Sequence, residues 1–289
     1  MYTDFFPPSR LNPGRAIFVA PLDNDRSGLA WNTARNSIQS AVDIAVPNDT
    51  IYVAPGTYTE NVIVPYGFAA SIIGVGPVNS CILVSTTAGG TTLTLHAYNS
   101  LVQNLYVQGP DTTTGIALRV TAVNSVFRGC KFGAGFQQAV VGPGLDANVS
   151  SSVPTESGGS DIVFSACEFS DGPHGVVFHG TDYGPANRIY IVDSIFNKLS
   201  TSSLEEENAS GSTGSQFRNI LVKDCTFMPA LTGTEPTNYF LLNDSNSNTG
   251  VVTGCRFTVA LTSTKNLVST KLIWVGNLHP AALSSGQPS

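Results

Sequence analysis

The 289-residue chain holds 42% hydrophobic and only 12% charged residues, with a net charge of −6 at pH 7. That composition is too apolar for a disordered chain, and the acidic balance without any Lys/Arg run excludes a nucleic-acid binder, which needs cations to neutralise phosphates. No stretch approaches the roughly 20 apolar residues that span a bilayer, and the opening MYTDFFPPSRLNPGR has neither the basic nor the apolar region of a signal peptide.

In chain order, residues 1–15 carry Phe5, Phe6 and three prolines and read as an extended arm. Ala16 to Ala20 is a short apolar strand that opens a continuous core running to Val275. Asn32 to Val46 is predicted as a helix: Ile38, Ala41, Val42 and Ala45 fall on one face, and Pro47-Asn48-Asp49 stops it. A helix there caps the open end of a stacked structure that would otherwise expose strand edges. Thr50 to Pro65 and Ser71 to Gly76 follow as apolar strands.

The most informative stretch then recurs: VFRGCKF (126–132), VFSACEF (163–169), YIVDSIF (190–196), LVKDCTF (221–227) and VVTGCRF (251–257). Counted from the Cys, or from Ser194 in its place, an apolar residue stands three before and a Phe two after. The residue just before is Gly129, Ala166, Asp193, Asp224 or Gly254, four of them types that tolerate a left-handed backbone. A weaker copy with Asn104 and Leu105 precedes the set, so the copies advance by 25, 37, 27, 31 and 30 residues. A unit of this length, varying only in its loops, is the signature of a solenoid. Cys and Phe then belong to the core, as reduced thiols and stacked rings, and Asp193 and Asp224 belong to a structural turn rather than a carboxylate pair. Insertions at Gly142 to Ser160, Leu199 to Gln216 and Pro229 to Asn238 are surface loops, with Glu205-Glu206-Glu207 a solvated acidic face in the second. Residues 276–289 form a Pro/Ser-rich tail.

The helix, TIYVAPGTYTENV (50–62) and the strand ending SIIGVG (71–76) together resemble the opening of pectinesterases and the wider pectin-lyase-like superfamily. The resemblance implies an all-β fold, a right-handed parallel β-helix of about nine rungs with the helix as its N-terminal cap. Its catalytic motifs are another matter. Where a Gly-Tyr-Gln-Asp-Thr-like segment is expected the chain has CKFGAGFQQAV, with Gln137 on the Gln and Gln138 where the Asp should stand. The later aspartate motif and a Gly-Arg-Pro-Trp-like segment are missing, so esterase activity of the family's kind is not expected. Polygalacturonase motifs are missing too, apart from a near miss at Gly172-Pro173-His174-Gly175, and nothing marks a pectate-lyase-like calcium site.

The residual candidates for chemistry are Glu168, Asp171, His174 and Asp182, with His179 beside them. Glycoside hydrolysis needs two carboxyls about 5 to 9.5 Å apart, which Glu168 and a loop Asp could provide. The competing reading makes Asp171-Gly172-Pro173 a turn, the histidines surface residues, and Lys131 and Glu168 a surface ion pair. With no catalytic set, metal or cofactor expected, a stiff rod with terminal arms suggests a structural part of a phage particle. Such a head decoration or tail fibre/spike protein would be assembled in the host cytoplasm as a homotrimer, attach to other virion proteins through its arms and contact host-surface polysaccharide. The alternative is a polysaccharide-degrading enzyme, and a further one a glycan-binding adhesin with Tyr183 or Tyr239 lining a groove.

Overall fold

The structure, a computed structural model, describes residues 14–21, 25–66, 69, 71–77, 79–141, 159–179, 186–207, 217–228, 238–241, 249–258 and 272–278. The expected arm (but for residues 14 and 15), the tail beyond residue 278, and Asp182 and Tyr183 lie outside the described residues, as do the side chains of His179 and Glu207.

Among the described residues every strand pairing is parallel, in two long sheets. The first stacks ten strands in chain order from Ala16–Val19 to Leu272–Val275, by way of Val123–Arg128, Ser160–Ser165 and Ala186–Val192. The second has two columns. One stacks Gly56–Thr59, Cys81–Val84, Tyr106–Gln108 and Lys131–Gly133; the other stacks Val62–Val64, Thr91–Leu95, Ile116–Val120 and Gln137–Val141. Both columns then run into the single long strands Glu168–His179 and Ile195–Glu207. Each turn therefore visits three faces before returning one strand higher, and the chain is a parallel β-helix.

The repeat explains the geometry. In all six copies the residue before the inward slot has a left-handed backbone: Asn104 (φ 54°), Gly129 (58°), Ala166 (52°), Asp193 (51°), Asp224 (53°) and Gly254 (65°). This turns the chain from the first sheet into the second without losing register. Inside, Phe132, Phe169, Phe196, Phe227 and Phe257 stack in one column at centroid separations of 5.4, 4.9, 4.8 and 4.7 Å, which is the strand spacing. The five cysteines are free and buried; Cys81, outside the sequence repeat, also faces inward, its thiol donating to the Val53 carbonyl as Cys130 does to Val102. A second left-handed corner was not legible in the motif: Asn99, Asn124, Asp161, Arg188 and Asn219 have φ between 52° and 57°. Asn124 bonds Asn99 at 2.5 Å, and Arg188 pairs with Asp161 at 2.5 and 2.6 Å.

The capping helix is shorter than predicted, Ile38–Ile44. Arg35 is drawn into strand-like bonding with Phe18 and Ala20, so the helix starts only after Ser37, whose hydroxyl accepts from Ser40 N. Glu60 caps the same end from outside, its carboxylate accepting the Ile38 and Gln39 amides at 2.7 and 2.8 Å. Ile38, Ala41 and Val42 face the core against the first strands. Beyond the helix the buried Asp49 receives Val46 N and both the backbone and the guanidinium of Arg15.

Candidate active site on the outer face

Alternation along a strand sends every second side chain outward, and on the second sheet the outward residues gather where its two columns meet. Register places Tyr106, Lys131, Glu168 and Ile195 in one outward row. Lys131 Nζ lies 5.1 Å from the Tyr106 ring centroid, 3.1 Å from Glu168 Oε1 and 3.5 Å from Asp171 Oδ2. Asp171 occupies the bend between the columns with φ 61°, and its other oxygen meets Lys198 Nζ at 3.2 Å. Burial works to raise the Asp171 carboxyl, but hydrogen bonds from Ser170 and Lys198 and the charges of Lys131 and Lys198 outweigh it and hold it below the usual carboxylate range. Lys131 moves the other way, because its bond to Glu168 outweighs the opposing effect of burial.

Past the bend, Glu168–His179 continues as one strand, with a register irregularity between Gly172 and His174 rather than a loop. Gly172 is required there, since a Cβ would lie 2.0 Å from Gln138 Nε2. Gln138 is fully buried beneath it and donates to the Gly135 carbonyl at 2.7 Å. The residue standing where the family resemblance expects an aspartate thus serves as an internal brace. Gln137, its neighbour, is in register with His174 on the next strand.

His174 is the centre of a second group. Its Nδ1 hydrogen-bonds Glu205 Oε2, and Ser202 Oγ stands 3.1 Å from Nδ1 while donating to the same carboxylate oxygen at 2.5 Å. The edge of Phe136, 4.7 Å between ring centroids, fixes the imidazole plane. Its side chain retains 11% exposure and that of Glu205 17%, so both are screened without being sealed from the outer face. Facing a carboxylate oxygen, Nδ1 is placed to donate its N–H, which leaves Nε2 as the ring's acceptor, the arrangement of a base oriented by a carboxylate. Val140 and Val177 form a buried apolar patch on this face beside the pair, lowering the local dielectric.

Glu168, Asp171 and His174 are therefore brought to one face of one strand, and the Lys131–Glu168 contact is an ion pair between neighbouring strands. Four sequence readings need correction. Residues 199–207 are not a loop but the second half of strand Ile195–Glu207. Within it Glu206 is 4% exposed and Glu205 faces His174, so Glu205-Glu206 is not a solvated face; the signal available was the apolar Leu199 and Leu204, both buried. His174 itself is buried against Phe136 rather than lying free on the surface. Tyr239 is 1% exposed and packs edge-on against Phe257 at 5.5 Å, so it cannot line a glycan groove. Among the described residues no three His, Cys, Asp or Glu side chains converge as a metal-binding group.

No protein-family model matches the chain, and no curated protein sequence matches it. Solved structures do match. The pectin methylesterase of Aspergillus niger aligns over 96% of this chain and 92% of its own, with TM-score 0.59 and 14% identity. The carrot pectin methylesterase covers 96% and 86% at TM-score 0.58 and 16% identity, and PemA of Erwinia chrysanthemi 92% and 90% at 0.57 and 11%. The expectation of a non-catalytic virion rod is overturned by these neighbours: pectin methylesterases, not virion proteins, superpose on nearly the whole chain. What the likeness establishes directly is architecture: the chain has the pectate-lyase-like parallel β-helix fold of these neighbours.

Proposed function

We propose that the chain is a polysaccharide-modifying enzyme whose catalytic surface is the outer face of strand Glu168–His179. The observation that carries this reading is the hydrogen-bonded group His174–Glu205–Ser202, whose histidine stands on the strand that also carries Glu168 and Asp171. A structural surface does not need an imidazole clamped by a carboxylate and a hydroxyl, whereas proton transfer to or from a sugar does. The fold likeness to pectin methylesterases supports a polysaccharide as the substrate class.

The roles follow from the contacts. His174 Nε2 exchanges the proton with the substrate, Glu205 orients the ring and stabilises the imidazolium, and Ser202 holds Glu205 in place. Asp171, kept ionised by Lys131 and Lys198, is unfit as a general acid at neutral pH and serves instead as an electrostatic or basic group. The two-carboxylate scheme of glycoside hydrolases thus yields here to a histidine-centred one. The test is an assay of the purified chain on a panel of polysaccharides, reading both new reducing ends and released ester groups. Turnover that His174→Ala removes and Glu205→Gln depresses supports the assignment; turnover unchanged in both variants refutes it.

A further inference from the structure

The charges of this face deepen that reading by restricting the substrate, a restriction that rests on the proposed function. Both lysines of the face are already committed: Lys131 to Glu168 and Asp171, and Lys198 to Asp171. Against these two cations stand three carboxylates, Glu168, Asp171 and Glu205, while the next cation of the Lys131 row among the described residues, the exposed Arg256, stands two strands beyond Ile195, about 10 Å from it at the sheet spacing. The next outward cation on the His174 column, Arg119, registers with Val140 and so lies two strands below Val177, about 10 Å away at the sheet spacing. The net charge of −6 points the same way.

A polyuronate carries one negative charge per sugar, and binding one here would mean either breaking the Lys131 and Lys198 pairs or accepting like-charge contacts with Glu168, Asp171 and Glu205. An uncharged glycan meets no such penalty, and the ion-paired carboxylates keep lone pairs with which to accept hydrogen bonds from sugar hydroxyls. Ile195, 39% exposed in the row of Lys131 and Glu168, offers an apolar contact for the C–H face of a sugar. We infer that the substrate is a neutral polysaccharide and that Asp171, by holding both lysines, is the residue that selects against uronate-bearing chains.

Binding tests this with matched probes: gluco-, galacto-, manno- and xylo-hexasaccharides, and the C6-oxidised uronate forms of the first three, titrated into the intact chain at low and high salt. The expected result is that at least one neutral hexasaccharide binds with little dependence on salt, that its oxidised partner binds at least tenfold more weakly, and that Asp171→Asn narrows the gap by improving uronate binding in a salt-sensitive way. Tighter binding of an oxidised form than of every neutral one, with affinity falling as salt rises, overturns this inference while leaving the polysaccharide-enzyme reading intact. Failure of every hexasaccharide to bind, together with no turnover of any polysaccharide, overturns both.

Discussion

The inner and outer faces of strand Glu168–His179 and its neighbours are made by the same backbone in the same register, yet they obey different rules. Inward, Phe169 sits between Phe132 and Phe196 with almost parallel rings, and each turn repeats the last. Outward, the corresponding positions read Lys131, Glu168 and Ile195, and one step further Gln137, His174 and Ser202, with no two alike. Packing imposes repetition on the inside because a column of rings must fill the same volume at every strand spacing. The outside is free of that constraint, so its irregularity is where chemistry can be placed.

Four substitutions sharpen or break this contrast. The largest expected effect is on the outside: His174→Ala lowers turnover by about 10²- to 10⁴-fold. Its β-sheet circular dichroism and melting temperature stay close to the parent's, and a collapse of the fold in this variant would place His174 with the scaffold instead. On the inside, Phe196→Ala removes one ring from the column and costs about 3 to 5 kcal/mol of stability, measured by denaturant unfolding. A loss below about 1 kcal/mol would mean that the column does not behave as a packed core.

Asp49 tests the capped end. Its side chain is 1% exposed, and removing it strands the Val46 and Arg15 amides and the Arg15 guanidinium, for an expected loss of about 3 kcal/mol. Burial tends to raise its pKa, but the Arg15 and Val46 hydrogen bonds prevail and hold the folded-state value below the ordinary 3.8. Its contribution is therefore full above the unfolded-state pKa and is lost as pH falls through the lower folded-state value. Asp49→Ala should accordingly be less sensitive to acid below pH ~4 than the parent, and equal sensitivity would show that Asp49 is not an acid-labile group. The smallest effect belongs to the corner: Ala166 is exposed and holds φ 52°, so Ala166→Gly relieves left-handed strain and should stabilise by ~0.5 kcal/mol after the entropy cost of glycine. A destabilised Ala166→Gly chain would show that Ala166 is not strained at this corner.

Much of the inside was legible in the sequence. The Cys/Phe spacing gave the register, the residue before each Cys gave the left-handed corner even at Ala166, and Phe127, Phe164, Ile191, Val222 and Val252 are all fully buried as their position three before the inward slot requires. The helix boundary was harder, since Arg35 and Asn36 look helical in sequence while Arg35 bonds to the first strand. On the outside, Glu168, Asp171 and His174 could be named but not assembled. Glu205, the partner that makes His174 a candidate base, is 31 residues away and reaches it only because Val177 and Glu205 share a register position.

The sequence alone determined the parallel β-helix, because a core that repeats must be written as a repeat, with one apolar pattern per turn and one tolerant residue per corner. Only the tertiary structure decided the candidate site. Side chains on that face meet across strands rather than along them, and which outward residues become neighbours depends on where each intervening loop lets the chain resume its register. An acidic run that reads as solvated surface in one dimension supplies, in three, the carboxylate that orients a histidine.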